Sequence, residues 1–386
     1  MVSLMSAGYH PINCILPPHI LQAIANRGTA EQQAKANQTL QLTAHFREQR
    51  QVAMARVTTA ARTALAGNKD RNVYDAQHGS NLPGSLVRKE GDPPVSDPAV
   101  NEAYDGAGAT FDLYLDAYQR NSIDNNGMII NSSVHYQVGY DNAFWNGQQM
   151  VYGDGDEDLP ENQRLFNRFT IAVDVIGHEL THGVTQYEAN LVYSNQPGAL
   201  NESMSDVFGS LVKQRILNQT ASQADWIIGE GLFTPNVHGV GIRSMKAPGT
   251  AYDDPVLGKD PQPATMSGYV NTPSDNGGVH INSGIPNHAF YVTAVEIGGN
   301  AWEKAGMIWY VTLRDKLTTT SDFQEAARLT FEAAGELYGV DGLEQNAVKK
   351  GWSEVEIDVS APPTPSPGCS GALMGLLRSL TGSSKS

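Results

Sequence analysis

Cysteine is nearly missing from this chain: Cys14 and Cys369 are the only two among 386 residues, and they lie near opposite ends. A disulfide framework is thereby excluded, and a chain of this length does not need one because it can bury a large core. Long apolar runs are missing too. Nothing approaches the ~18 consecutive apolar residues of a membrane span. The N-terminus, MVSLMSAGYHPINCILPPHI, lacks a basic start followed by an apolar run of leader length. No classical export signal is expected on that ground, which leaves a cytoplasmic or non-classically exported protein. Basic residues are few: 26 Lys and Arg face 41 Asp and Glu, for a formal net charge of -15. Such a chain repels anionic partners, so neither nucleic acid nor a membrane surface is expected as its ligand. With 40% hydrophobic and 17% charged residues, the composition is that of a globular chain of two or three structural units.

What is present divides into stretches of different texture. Residues 10 to 64 carry Pro17-Pro18 and then an Ala- and Gln-rich run through Leu40, Leu42, Phe46, Val52 and Val57, whose spacing predicts helix. From Asn72 to Gly155, turns rich in Gly, Asn and Asp separate short segments such as Met128 to Ile130 and Val134 to Val138, which predicts an antiparallel, strand-rich lobe. Helical spacing takes over from Asn167, through Ile171, Val175, Ile176 and Leu180, and again from Met204 through Val207, Phe208, Leu211 and Val212. Further helices are expected near Ile285 to Ile297, Trp302 to Arg314, Asp322 to Leu337 and Gly342 to Lys349. After Ile357 the run APPTPSPG reads as a linker, and the Ser- and Gly-rich remainder as disordered. The class is α+β.

His178-Glu179-Leu180-Thr181-His182 sets two imidazoles four residues apart inside one helical pattern, so both project from one face within reach of a single ion. A catalytic zinc commonly takes three protein ligands and leaves a fourth position to water. Glu202, in Asn201-Glu202-Ser203-Met204-Ser205-Asp206, is expected to open a second helical stretch and to supply the third ligand. Two nitrogens and one oxygen favour Zn²⁺ over the oxygen-only shells of calcium and magnesium. Zinc brings the pKa of a bound water from 15.7 to roughly 7. Glu179, flanking the ion, is placed to take that proton as general base and to pass it to a departing amine. Donors for the developing oxyanion are offered by Tyr193 and by His280 in Asp275-Asn276-Gly277-Gly278-Val279-His280, where the glycines permit a tight loop and Asp275 can orient or charge the ring. Asp206, one turn beyond Glu202, is spaced to accept the ring N–H of His178. With Asn201 it is counted among the groups that steady the ligands from behind.

The segments VYDAQHGSNLPG, SSVHYQVGYDNAFWNGQQMVYGDGD, DVIGHELTHGVTQY, GALNESMSDVFG, IRSM and DNGGVHINSGIPN, met in this order between Asn72 and about Glu356, resemble the thermolysin family. The resemblance implies a two-lobed metallopeptidase, with a strand-rich N-terminal lobe over residues 61–200 ending in the zinc-binding helix, and a helical lobe over 201–358. It implies zinc on His178, His182 and Glu202, Glu179 as base, and Tyr193 and His280 at the oxyanion. It further implies that Asn142 and the carbonyl of Ala143 hold the substrate backbone and that Arg243 binds the carbonyl of the residue after the cut. That residue's side chain would enter a pocket lined by Phe166, Phe169, Val175, Ile228, Leu232 and Ile242, so cleavage is expected on the N-terminal side of large apolar residues in polypeptides. Secretion is the family's habit.

Two departures carry expectations of their own. Asp174, Asp225 and Glu230 match the acidic cluster that binds calcium in the family, but Lys213 and Ile227 stand where carboxylates are expected. Calcium binding should be weak or absent, with the Lys213 ammonium in place of a cation. The family-like body begins near Asn72, and Ile15-Leu16-Pro17-Pro18-His19-Ile20 upstream resembles the short propeptides of protealysin-like members. Residues 1–60, with a boundary between Gln51 and Asn68, are therefore expected to be a propeptide that acts on its own chain and is removed by self-cleavage. Cys14 could deliver a thiolate to the open zinc position. The rival readings are a peptide-binding protein that has lost activity on the same scaffold, which the intact Glu179 opposes, and a zinc hydrolase of non-peptide amides or esters.

Overall fold

A computed structural model describes residues 13–53 and 67–361. In chain order the first half holds β1 (Asn13–Cys14), α1 (Pro18–Arg27), α2 (Ala30–Ala53), β2 (Arg71–Asp75), β3 (Ser85–Lys89), α3 (Pro98–Tyr118), β4 (Ile130–Val134), β5 (Ala143–Trp145), β6 (Met150–Tyr152) and α4 (Val173–Tyr187). Then come α5 (Asn195–Ile216), the short strands β7 (Ile227–Ile228), β8 (Arg243–Ser244), β9 (Asp253–Asp254) and β10 (Gly258–Lys259), and the helices α6 (Asp275–Asn282), α7 (Gly284–Ile297), α8 (Lys304–Val311), α9 (Phe323–Tyr338) and α10 (Leu343–Glu354). The expected α+β class, with strands first and helices later, describes this arrangement. The tail expected to be disordered, with Cys369, falls outside the described residues beyond 361, as do residues 54–66 at the expected propeptide boundary.

The sheet of the first lobe corrects one expectation. Its order is β1-β5-β6-β4-β2-β3, and it is mixed: β2 runs parallel to β4 and β4 parallel to β6, while the pairs β1–β5, β5–β6 and β2–β3 are antiparallel. Parallel neighbours require a long crossover, and between β2 and β4 that crossover contains α3, a helix of 21 residues that the sequence pattern does not predict. Its start is well signalled, since the Asp97 side chain accepts from the Ala99 amide and Pro98 sits in the first turn. Gly106 and Gly108 hid it, because they resemble turn residues. Both are there for closeness: a Cβ on Gly106 would lie 2.4 Å from the Cδ1 of Ile176 on α4, and one on Gly108 would lie 2.1 Å from Nη1 of Arg71.

A second correction concerns α5. The expected lobe boundary at residue 200 falls inside this helix, and Glu202, expected to open a helix, lies about two turns into it. Asn195-Gln196-Pro197-Gly198 reads as a turn, yet proline in a first turn sacrifices no hydrogen bond that the helix could have made. The helices α4 and α5 approach closely because glycine faces glycine: a Cβ on Gly177 would be 3.0 Å from the Cα of Gly209. One continuous apolar core then runs from Ile15 through α3, α4 and α5 to Val359.

Candidate active site

From Asp174 to Thr185 every residue of α4 is buried. Each polar side chain on that stretch must therefore find its partner inside the protein. His178 and His182 find theirs behind them: Nδ1 of His178 lies 2.8 Å from Oδ1 of Asp206, and Nδ1 of His182 lies 2.8 Å from Oδ1 of Asn201 and 2.9 Å from Oγ of Ser205. With Nδ1 donating on both rings, the two Nε2 atoms are left as acceptors, and they face each other 3.0 Å apart. Glu202 reaches the same point, its carboxylate oxygens 3.5 Å and 3.4 Å from the Nε2 atoms of His178 and His182. Two lone pairs opposed at hydrogen-bonding distance repel, and Oε2 of Glu202 and Oε1 of Glu179 are buried with no hydrogen-bond partner. A cation shared among these atoms relieves such a set. Two imidazole nitrogens and a carboxylate, with both rings held from behind, are the donor set of a catalytic zinc site, and the residues present fit that ion.

Glu179 is fixed by the backbone amide of Trp145, which donates to its Oε2 at 3.0 Å. Burial, and after it the Glu202 carboxylate, push the Glu179 carboxyl well above the usual carboxylate range. Across the site, the Tyr193 hydroxyl touches Glu202 and lies 3.2 Å from Nε2 of His280. His280 is held by Asp275, whose Oδ1 is 2.6 Å from its Nδ1 and whose Oδ2 accepts its backbone N–H at 2.9 Å. Residues 275 to 278 all have positive φ, between 50° and 88°, which is why two of the four are glycine. Burial alone would lower the pKa of His280, but the carboxylates of Asp275 and Glu202 outweigh it and raise it.

Asp206 also holds Arg243. Its two oxygens accept from Nη2 at 2.7 Å and Nε at 2.8 Å, and Asn287 donates to Oδ2 at 2.8 Å. Burial pushes the Asp206 carboxyl up, but Arg243 and His178 outweigh it and hold it far below the usual range. Neither Asn287 nor the Trp145 amide stood out in the sequence. Both are distant in the chain from the groups they position, and an asparagine on a helix carries no local sign of its partner.

The front of the site is covered by the chain's own N-terminal segment. β1 adds to β5 as an antiparallel neighbour, Asn13 opposite Trp145 and Cys14 opposite Phe144. The Cys14 carbonyl lies 3.0 Å from Nε2 of His280, and the Ile15 amide donates to the Ala143 carbonyl at 3.3 Å. The Ile15 carbonyl accepts from Nη1 of Arg243 at 3.1 Å, and the Leu16 amide donates to Oδ1 of Asn142 at 3.0 Å. Ile15 is fully buried in the same apolar cluster as Phe166, Phe169, Val175, Ile228, Leu232 and Ile242. It is the carbonyl of Cys14 that sits at His280, while its side chain belongs to an apolar cluster with Tyr136, Tyr140, Phe144 and Val151. At the far end of α5, Nζ of Lys213 lies 2.7 Å from Asp225, 2.8 Å from Glu230 and 3.8 Å from Asp174.

Comparison with known proteins agrees with this architecture. The model of the thermolysin metallopeptidase catalytic domain matches residues 27–186, and that of the thermolysin metallopeptidase alpha-helical domain matches residues 189–357. The chain is 50% identical over 350 residues to an extracellular metalloprotease of Pectobacterium carotovorum subsp. carotovorum, covering 90% of this chain and 97% of that one. It is 46% identical over 349 residues to protease PrtS of Photorhabdus sp. (strain Az29), covering 89% and 92%. Among solved structures it is similar to the precursor of protealysin, a metalloproteinase from Serratia proteamaculans, with a TM-score of 0.80 and 50% identity over 89% of this chain and 99% of that one. The Pectobacterium relative is named extracellular. That name points to secretion and corrects the expectation of a cytoplasmic or non-classically exported protein, which rested only on a missing leader pattern. The chain belongs to the thermolysin family of zinc metallopeptidases, and within it to the protealysin-like members.

Proposed function

We propose that the protein is a zinc endopeptidase that cleaves polypeptides on the N-terminal side of large apolar residues, made as a precursor that removes its own first segment up to a point between Gln51 and Asn68. The observation that carries the reading is the peptide already lying against the site. Residues Cys14 to Leu16 cross the site from the end of β1, with the Cys14 carbonyl at His280, the Ile15 carbonyl on Arg243 and the Ile15 side chain in the apolar cluster. A substrate bound in this register would present the bond before an apolar residue to Glu179.

His178, His182 and Glu202 would hold the zinc ion, which supplies a water acidified to near neutrality and a Lewis acid for the scissile carbonyl. Glu179 takes a proton from the attacking water at its carboxylate and passes it to the departing amine. Tyr193 and His280 donate to the carbonyl oxygen as negative charge gathers there, and Asp275 favours the protonated His280 ring and keeps it aimed. Asn142, the Ala143 carbonyl and Arg243 align the backbone on either side of the bond, which lowers the entropy cost of reaching the reactive geometry. Calcium binds weakly or not at all at the end of α5 in this reading, since Lys213 provides positive charge there. A peptide-binding protein without activity finds no support, because the ligands, the base and the oxyanion donors are all present.

Purified protein incubated with casein should degrade it, a zinc chelator should stop this, and Glu179→Gln should retain one zinc while losing turnover. The active chain should shorten on incubation while Glu179→Gln stays full length. Near-normal proteolysis by zinc-loaded Glu179→Gln would rule out Glu179 as the base.

A further inference from the structure

Three neighbouring strands of the sheet, β2, β4 and β6, run parallel, so their C-terminal ends lie side by side. Each releases one metal-binding side chain at that edge. His78 follows β2 by three residues, His135 follows β4 directly and Asp154 lies two residues beyond β6. These three offer ligand atoms that all lie within 4.8 Å of one another, as do His178, His182 and Glu202 in the site already described. Nδ1 of His135 is 2.9 Å from Oδ2 of Asp154, and Nδ1 of His78 is 3.5 Å from the same oxygen. The two imidazole rings approach with centroids 5.5 Å apart. Beside them opens a cleft of about 420 Å³, lined by the three residues together with Val138, Gly139, Glu157 and Asp158.

The remaining nitrogen of His135 is engaged in the way a metal ligand's usually is. Its Nε2 lies 2.7 Å from Oδ2 of Asp97, and Asp97 is itself pinned as the cap of α3 through Oδ1, which accepts the Ala99 amide at 2.9 Å. A carboxylate that takes the Nε2 proton fixes the tautomer and turns the Nδ1 lone pair outward, here toward Asp154 and His78. An imidazolium clamped between Asp97 and Asp154 would explain the two contacts of His135 by itself. It does not account for His78, an exposed ring that a backbone with φ of 54° brings to 3.5 Å from the same carboxylate.

We propose that His78, His135 and Asp154 form a second site for a divalent ion of the zinc class, with Asp97 positioning His135 and the open coordination positions facing the cleft. Two imidazoles and one carboxylate suit zinc, cobalt, nickel or copper, and disfavour calcium and magnesium. The site shares no residue with the His178–His182–Glu202 set, so the two are separable.

The test uses full-length Glu179→Gln, stripped of metal, reloaded at micromolar buffered free zinc and measured for zinc per chain by mass spectrometry. The same measurement is made on Glu179→Gln carrying His78→Ala, a change at an exposed side chain. The double variant should hold one equivalent less than its parent. A Co²⁺ titration should likewise lose one of two absorbance phases. Equal zinc content in the two proteins, whether one equivalent or two, overturns the proposal. Both proteins carry the same first site, so the difference in zinc between them reports on the second site alone.

Discussion

Asp206 is one carboxylate with three tasks. It receives the ring N–H of His178, the fork of Arg243 and the amide of Asn287, and it is fully buried. The histidine that would bind metal and the arginine that would grip substrate are thus referenced to the same two oxygens. In Asp206→Ala the Arg243 guanidinium is left buried without its partner, which costs about 3–5 kcal/mol, and His178 loses the group that fixes its tautomer, which weakens zinc by about 10- to 100-fold. Denaturant unfolding and competition with a zinc chelator measure the two effects separately. Stability within about 1 kcal/mol of the parent would show that Arg243 has found another acceptor. The cluster of His178, His182 and Glu202, with Glu179 and Asp206 beside it, could be anticipated from the sequence because its spacing is local to two helices. Asn287 and the Trp145 amide were not. What selects them is proximity in the fold, 81 residues from Asp206 and 34 from Glu179.

Between elements, two contacts govern the site. The first is α4 against α5, where a Cβ on Gly209 would lie 2.4 Å from the Asp174 carbonyl oxygen and 3.0 Å from the backbone nitrogen of His178. Backbone atoms of a buried helix do not give way as the end of a side chain does. Gly209→Ala should therefore push α5 off α4 at the level of His178, costing about 1–3 kcal/mol and weakening zinc by separating Glu202 from the two histidines. Unchanged zinc affinity would mean that the helices slide without parting. The second contact is the N-terminal segment. His19 on α1 has its Nε2 2.9 Å from the Tyr252 hydroxyl, while its Nδ1 is buried without a partner. Burial, aided by the charges of His280 and Arg243 and opposed by Asp275, lowers its pKa from 6.5 to about 4. A base depressed in the docked state supports docking fully above pH 6.5 and loses that support as the pH falls to about 4, a change of at most about 3 kcal/mol. In Glu179→Gln, the opening free energy of the Leu16 amide from hydrogen exchange should fall more steeply over this range than in the same chain with His19→Leu. Parallel curves would show that His19 does not couple docking to pH. Helix α3 illustrates why elements are harder to read than motifs: its glycines serve tertiary packing, and the sequence shows only that they are glycines.

At the scale of the whole molecule, the strand-then-helix order was visible in the switch of hydrophobic period, whereas the parallel pairing of β2, β4 and β6 was not, because register between distant strands leaves no mark on either. The acidic end of α5 is a case where one residue alters a property of the entire chain. Asp174 is about 1% exposed, and burial raises its pKa to about 6 even with Lys213 beside it. Lys213 is held charged by Asp174, Asp225 and Glu230, which outweigh the cost of its burial. A single ammonium with three carboxylate neighbours supplies positive charge to the cluster by covalent attachment, at every calcium concentration. The parent protein should accordingly unfold at nearly the same temperature with and without calcium. Lys213→Ala takes the charge away and leaves the buried Asp174 carboxylate facing two partly exposed ones, a loss of about 1–3 kcal/mol. Calcium should then recover part of that loss, because an ion that binds only the folded form stabilises it by mass action. The measurement is thermal unfolding of Glu179→Gln and of its Lys213→Ala derivative, each with chelator and with millimolar calcium. A rise of several degrees in the parent at micromolar free calcium would show that an ion binds despite Lys213. A derivative that loses stability but ignores calcium would show that the three carboxylates are too far apart to share one ion, and that the lysine replaces the charge of a cation without standing in its coordination site.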